Sequence, residues 1–404
     1  MSTVLTINGG SSSIRFAFYD ATDSSTKLLD GKIDRIGVSD TTMTVDEVKE
    51  GVKSQTKTKV DAADHSSAAE YLVHWLAAHP LFAAVGAAGH RVVHGMAHSR
   101  AERVTPDLLT ELKRITPYDP QHLPREIELI ETLGRLHPEL PQVVCFDTAF
   151  HRTMPRVATI LPIPRRYESK GVRRYGFHGL SYTYLMSALV RLGDAAATRG
   201  RVILAHLGNG ASLAAVRNGK CIDTSMGFTP TAGLVMSTRS GDLDPGIMSF
   251  LALTESMDVA AYQKMVTQES GLLGVSETSS DIRDLLAREA DDERAAQAVE
   301  LFCYQVKKWI GSFAAALGGV DTLVFAGGIG ENAVPIRARI CAGLNFLGIE
   351  LNEARNAHNA ALVSSDAGPV AVRVIRTDEE SVIASSTVGV LGMGVLGTDT
   401  TKDT

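Results

Sequence analysis

A short strand, a turn of Gly, Asn and Ser residues, and a second strand occur near the N-terminus and again just past residue 200. Val4 to Ile7 is a short apolar run, residues 8–13 (Asn-Gly-Gly-Ser-Ser-Ser) read as a polar turn, and Ile14 to Tyr19 resumes with β-branched and aromatic residues. Arg201 to Leu207, then Gly208-Asn-Gly-Ala-Ser212, then Leu213 to Val216 repeat the pattern, and Asn218-Gly219 before Lys220 to Thr224 is a tight-hairpin dipeptide. A third apolar run, Asp321 to Ala326, leads through Gly327-Gly-Ile-Gly-Glu-Asn332 into a helix-compatible segment ending near Leu344. An amphipathic stretch from about Asp291 to Leu317 stops at Gly318-Gly319, a sensible helix C-terminus. Two halves that open alike imply an internal duplication and an α/β chain of two domains with a cleft between them. The proline-containing stretch Thr148 to Pro164 marks the boundary, giving domains at 1–150 and 151–380, with a tail of about 381–404 returning to the first.

With 404 residues the chain has room for two or three domains and a large core. A formal charge of −6 without basic clusters argues against a nucleic-acid partner, because phosphate backbones are gripped by Lys and Arg. The first eight residues lack a basic n-region and an apolar h-region, so a cytoplasmic location is expected. Ser381 to Gly397 carries no charge, yet its Ser, Thr and Gly content reads as a buried helix and not a membrane span. Cys145, Cys221, Cys303 and Cys341 are scattered in mostly apolar surroundings and form no CxxC, which predicts buried thiols in a reducing compartment. A small-molecule enzyme is the working class.

Several polar segments could do chemistry. The Asn8 to Ser13 loop can present N–H groups and hydroxyls to an anion, or be a plain hairpin turn; it lacks the GK[ST] of a P-loop. Gly327-Gly-Ile-Gly330 is not a dinucleotide GxGxxG fingerprint. His90 to Gly95 reads as a strand with Arg91 and Val93 on one face, a guanidinium beside an apolar wall that suits a small carboxylate with a short alkyl tail; the alternative is a surface Arg on an edge strand. His90 and His94 have the spacing of HExxH without its Glu, which disfavours zinc. Asp147 ends an apolar run and reads equally as structural or catalytic. Arg173 to Gly179 gathers two arginines and a histidine, an anion-site composition, and Arg239 in Thr238 to Pro245 is a candidate phosphate clamp in a loop whose aspartates could simply cap a helix.

Taken together, Phe146-Asp-Thr-Ala-Phe-His151, Arg174-Tyr-Gly-Phe-His-Gly179, His206-Leu-Gly-Asn-Gly-Ala-Ser212, Asp223 to Pro230, Thr238 to Asp242 and Gly327 to Asn332 resemble the acetate kinase family of the actin, Hsp70 and sugar kinase superfamily. The resemblance spans nearly the whole chain. It implies duplicated actin/Hsp70-like (ribonuclease H-like) domains around a central nucleotide cleft, a homodimer, and reversible transfer of a phosphoryl group from ATP to a short carboxylate with Mg²⁺, or Mn²⁺ in its place. By that resemblance Asn8 and Glu379 are metal-associated, Arg91 binds the substrate, Asp147 is the active-site aspartate, and His178 and Arg239 stabilise the transition state. The nucleotide segments fall on Arg15, on His206, Leu207, Gly208, Asn209 and Gly210, on Asp281, Ile282 and Arg283, and on Gly327, Gly328, Ile329, Gly330 and Glu331. The acyl pocket falls on Val93, Phe177, Pro230 and Gln121.

Phosphoryl transfer asks a protein mainly for alignment and positive charge, which Arg91, His178 and Arg239 would supply. A carboxylate nucleophile needs no base, so Asp147 is expected to orient the metal or its waters. The chain departs from the family at Arg15 (usually Lys), at Met96-Ala97 in place of Gly and an acidic residue, and at Tyr118 to Pro124 in place of Ala-Pro-Leu-His-Asn-Pro. Gln121 stands where a pocket leucine is usual. Either it tunes the pocket towards propionate or a slightly more polar acid, or a shifted backbone points it outward. Acetate kinase is the principal reading, another short-chain acyl kinase the sibling alternative, and an actin/Hsp70-type ATP-binding module the alternative of another class. A sugar kinase would need a general base and a polar pocket.

Overall fold

The apolar runs become strands of two mixed sheets in a computed structural model, which describes residues 2–10, 13–37, 40–49 and 52–393. The first sheet holds β1 (Thr3–Gly9), β2 (Ser13–Asp20), β3 (Lys27–Asp34), β4 (Thr42–Lys49), β5 (Val52–Lys59), β6 (Val85–Val92), β7 (Glu102–Arg103) and β8 (Gln142–Phe146) in the order β5-β4-β3-β2-β1-β6-β8-β7. The second holds β9 (Arg201–Leu207), β10 (Ala211–Arg217), β11 (Lys220–Thr224), β12 (Thr322–Ala326) and β13 (Ala371–Val374) in the order β11-β10-β9-β12-β13. The five strands β3-β2-β1-β6-β8 and the five of the second sheet share one plan: two antiparallel pairings, then two parallel ones. The repeated strand–turn–strand grammar is the antiparallel part of that plan, and the parallel part requires helical crossovers.

The chain divides into two compact units, one of the described residues up to Ala149 with those from Asp378 onward, the other Phe150–Thr377. In the first, β1 is buried along its whole length, as a central strand covered on both faces should be. Leu5, Ile7, Phe16 and Phe18 pack with Leu72, Leu76, Leu129 and Leu133 of the helices His65–Ala78 and Leu123–Leu136. Val4, Ala17 and Tyr19 face the other way, onto Ala384 of the helix Glu379–Leu391. The uncharged C-terminal stretch is therefore a packed helix as far as Leu391, and residues 394–404 of the expected tail lie outside the described residues. Among the described residues no helix is long and apolar enough to cross a membrane.

In the second unit, Val202, Leu204, Ala214 and Val324 pack with Tyr182, Leu185 and Leu189 of the helix Gly179–Arg191. The amphipathic segment forms the helix Glu293–Leu317, capped by the Asp292 side chain and ended by Gly318 in the left-handed conformation at φ 72°. The four cysteines are buried and reduced, and burial pushes the Cys145 and Cys341 thiols up to about 12.

Two local expectations change. Strand β6 ends at Val92, so strand alternation does not set the direction of Val93; its N–H is instead held by a carboxylate from another element. The Gly327–Asn332 segment, expected only to lead into a helix, is itself a short helical turn.

Candidate active site

In the first unit the polar candidates gather at the C-terminal ends of β1, β6 and β8. Arg91, the penultimate residue of β6, donates from Nε and Nη2 to Asp147 Oδ2 at 3.0 and 2.6 Å, directly after β8. Its Nη1 reaches Asn8 Oδ1 at 3.3 Å and the Gly9 carbonyl at 3.4 Å. Asn8 lies within β1, not in the turn, and its Nδ2 donates to Glu379 Oε2 at 3.2 Å and Glu380 Oε1 at 3.4 Å. Burial works against the Arg91 charge, but the carboxylates of Asp147, Glu379 and Glu126 outweigh it and the guanidinium stays firmly charged. Arg91 is thus neither a surface residue nor an open fork: Asp147 occupies two of its donors and leaves Nη1 turned to Asn8.

Burial first, then the Asp147 and Glu380 charges, push the Glu379 carboxyl up to about 7 against the pull of Arg91. Asp147 Oδ1 is buried and, among the described residues, has no hydrogen-bond partner. An orphaned carboxylate oxygen beside Asn8 and crowded acidic groups is the donor chemistry that a hard divalent cation satisfies. No group of three or more His, Cys, Asp or Glu among the described residues is arranged to hold a metal alone. That suits Mg²⁺, which is commonly held by one or two carboxylates, waters and substrate phosphates. Arg15 is the cross-strand partner of Asn8 and is exposed.

Composition alone does not reveal Glu126. It is 2% exposed on the helix Leu123–Leu136 and accepts the Val93 N–H with both carboxylate oxygens, at 3.0 and 3.2 Å. Val93 is buried, and Gln121 is half-buried in the turn before that helix, beside the buried pair of His122 and Asp119.

In the second unit, His178 precedes the helix Gly179–Arg191 in a left-handed conformation at φ 59°, a strained placement for a residue with a side chain. The preceding Gly176 is also left-handed, and a Cβ there would stand 2.5 Å from Thr224 and 2.6 Å from the His151 ring. His151 holds this turn through the Phe177 carbonyl at 2.9 Å, while the Phe177 side chain is buried. The His178 and His206 rings stack with centroids 4.3 Å apart. A Cβ placed on Gly210 would lie 3.2 Å from His178 Nε2 and 3.5 Å from Arg239 Nη1. One placed on Gly208 would lie 3.8 Å from the Gly328 nitrogen and 3.9 Å from His206 Nε2. Three separated motifs therefore meet at the 208–210 loop. Arg239 Nη1 also donates to the carbonyl of the buried Pro230 at 3.0 Å.

The Gly327–Asn332 turn is set by distant partners. Gly327 is at φ 76°, and a Cβ there would stand 2.6 Å from the Leu207 carbonyl oxygen. Glu331 Oε1 accepts the N–H groups of Gly327 and Thr377 at 2.9 and 3.1 Å; Gly328 is exposed and Ile329 and Gly330 are buried. The second residue that sequence reasoning misses is Arg337. It is fully buried and donates to the Gly330 and Glu331 carbonyls at 2.9 and 3.0 Å and to Asn356 and Asn359 side-chain oxygens at 2.9 and 2.7 Å.

Other candidates are engaged locally. Arg174 Nη1 donates to the carbonyls of Thr224, Ser225 and Met226, and Arg173 lies 4.4 Å over the Tyr175 ring, so the arginine pair braces backbone and aromatic surface. Asp281 caps the helix Ile282–Arg288 and pairs with the exposed Arg283, while Ile282 is buried in the core.

A sequence profile of the acetokinase family matches residues 3–385. The chain belongs to the acetokinase family. An acetate kinase of Rhodopseudomonas palustris is 42% identical over 387 residues, covering 94% of this chain and 96% of that relative. A propionate kinase of Citrobacter rodentium is 42% identical over 387 residues, covering 94% and 95%. The crystal structure of Porphyromonas gingivalis acetate kinase superposes with a TM-score of 0.86 at 35% identity, covering 97% of this chain and all of that one. This acetokinase is accordingly a phosphotransferase with a carboxyl group as acceptor, and its two sheets of matching order are the duplicated α/β fold that the motifs imply.

Proposed function

We propose that the chain transfers the γ-phosphoryl group of ATP to acetate, giving acetyl phosphate and ADP, and catalyses the reverse reaction. The observation that carries this reading is the convergence of His178 Nε2 and Arg239 Nη1 on Gly210 in a nucleotide-type loop. The first unit supports it with a buried guanidinium, Arg91, braced by Asp147. The second unit takes the nucleotide through His206 to Gly210, Asp281 to Arg283 and Gly327 to Glu331; the first takes the carboxylate, and Arg15 is the further nucleotide residue that the family resemblance gives. The acceptor is already ionised at pH 7, so no residue has to remove a proton. Arg91 binds the carboxylate through the second N–H of Nη2, since Nη1 is turned to Asn8 and Gly9, while Asp147 fixes the plane of the guanidinium. Val93, Phe177 and Pro230 are the acyl-side residues that the family resemblance gives, and His178 and Arg239 donate to the equatorial oxygens as charge spreads over them.

Asn8, Glu379 and the unpartnered Oδ1 of Asp147 are the groups that would hold Mg²⁺, or Mn²⁺. When bound, such an ion neutralises charge on the phosphate oxygens. The setting is the cytoplasm and the assembly a homodimer, a reading supported by residues 242–264, in which no side chain is buried although Phe250, Leu253 and Val259 are 62%, 87% and 73% exposed.

Gln121 favours one sibling reading, a propionate kinase or a kinase for a slightly more polar acid. A methylene is worth only ~1–3 kcal/mol of discrimination, so overlapping use of acetate and propionate is expected in either case. The test is acyl phosphate formation, trapped as the hydroxamate, with acetate, propionate, butyrate, glycolate and lactate, each with and without Mg²⁺. A preference for acetate supports the main reading, a preference for another acid moves the chain to the sibling, and no product with any acid overturns both.

A further inference from the structure

The stacked rings of His178 and His206 are each held at Nδ1 by a serine, and each serine is held by a second hydroxyl. His178 Nδ1 lies 2.9 Å from Ser212 Oγ, which also bonds the Tyr182 hydroxyl. His206 Nδ1 lies 2.8 Å from Ser181 Oγ, which lies 2.9 Å from Thr377 Oγ1. The two chains interlock. Ser181 and Tyr182 are successive residues of one helix, and successive helical positions point to different neighbours, here to different rings. Ser212, in turn, is the cross-strand partner of His206 in the β9–β10 register, yet serves His178. Ser181, Tyr182 and Ser212 are all fully buried, so these hydroxyls are enclosed within the second unit.

From this geometry we propose that Ser212 with Tyr182, and Ser181 with Thr377, are positioning residues that fix the tautomer of two histidines. A neutral imidazole carries one N–H, and the partner of one nitrogen decides where it sits. A serine hydroxyl can donate or accept; in this assignment the second hydroxyl, Tyr182 or Thr377, donates to the serine oxygen, so that the serine O–H points to Nδ1 and the proton stays on Nε2. Both Nε2 atoms face the 208–210 loop, His178 towards Gly210 and His206 towards Gly208. The relays therefore aim two N–H donors at the loop. Stacking at 4.3 Å disfavours two simultaneous cations, since two imidazolium charges at that distance repel. Arg239 supplies the permanent charge, and the histidines supply oriented hydrogen bonds whose direction is set before the nucleotide arrives. The donor role rests on the kinase reading; the tautomer assignment does not.

The test uses the full chain with ¹⁵N-labelled histidine. Long-range ¹H–¹⁵N spectra report which ring nitrogen is protonated, with no substrate present. In the native protein both rings are expected as the Nε2–H tautomer. Ser212→Ala should convert His178 to a mixture and leave His206 unchanged, and Ser181→Ala should do the reverse. Tyr182→Phe, which keeps the aromatic packing, should shift His178 in the same direction as Ser212→Ala. A donor that is misdirected for part of the time loses transition-state stabilisation, so kcat should fall in Ser212→Ala while KM for the carboxylate holds. Unchanged tautomers in both serine variants overturn the proposal, as does an altered tautomer with native kcat. Absence of acyl phosphate from the wild type would count against the kinase reading alone, and the spectra would still decide the relays.

Discussion

Glu126 accepts a single backbone N–H in a buried setting, and burial holds its carboxyl well above the ordinary glutamate range despite the opposing pull of Arg91. The sign follows from linkage. Between the unfolded and folded pKa values the folded chain keeps a proton that the unfolded chain has released, so this group makes stability fall as pH rises through that window. Glu126→Gln keeps an acceptor for the Val93 N–H and removes the titration. It is expected to gain stability relative to the wild type between pH 5 and pH 8, measured by urea unfolding at both pH values; an equal difference at the two would contradict the assignment. Asp147→Asn should raise the Mg²⁺ concentration needed for half-maximal acyl phosphate formation, because it removes the orphaned carboxylate oxygen and loosens Arg91; an unaltered Mg²⁺ dependence would refute a metal-facing Asp147. Motif reading proposes Asn8, Arg91 and Asp147 because they sit in distinctive strings, and the family resemblance adds Glu379. Glu126 is one of three glutamates in Glu-Ile-Glu-Leu-Ile-Glu131, and only tertiary packing separates it from Glu128 and Glu131. Arg337 and Arg339 pose the same problem: two residues apart, one is fully buried among neutral oxygens and the other pairs with Glu289 near the surface.

At the scale of elements, what a local window contains is what it predicts. The helix Glu293–Leu317 carries its own cap and its own terminating glycine, and its limits are legible. The Gly327–Asn332 turn is not, because its hydrogen bonds are completed from far along the chain: Glu331 ties it to Thr377, and Arg337 closes its last carbonyls. Strand β6 likewise stops where Glu126, 33 residues on, captures the next N–H. These long-range ties make two expectations. Gly327→Ala forces a side chain into a left-handed position against the Leu207 carbonyl and should cost about 1–3 kcal/mol of unfolding free energy together with a raised KM for ATP. Arg337→Met keeps an unbranched apolar stem but removes the guanidinium and orphans buried carbonyls, at roughly 1–3 kcal/mol for each acceptor left unpaired. Its KM for ATP should rise while KM for the carboxylate stays native, a separation that steady-state kinetics with each substrate varied in turn would check.

Across the whole molecule, the duplication is legible in sequence because each half opens with the same antiparallel strands, and both sheets carry it into the same five-strand order. Less legible is the purpose of residues 242–264. Their helix Gly246–Glu255, Gly-Ile-Met-Ser-Phe-Leu-Ala-Leu-Thr-Glu, is strongly apolar yet buries no side chain within its own chain. A helix with that composition is unstable in water unless its surface is covered. The neighbouring helix Val259–Lys264 is equally without buried residues, so two successive helices of the second unit leave apolar side chains exposed. A second copy of the chain is the occupant that the homodimer reading supplies. Light scattering on eluting protein should therefore give twice the 43.2 kDa chain mass. Phe250→Glu with Leu253→Glu replaces apolar side chains that touch no core, so the fold should persist while the mass falls to that of one chain. Native protein eluting as a monomer, or a charged double variant that still elutes as a dimer, would move the interface away from these helices.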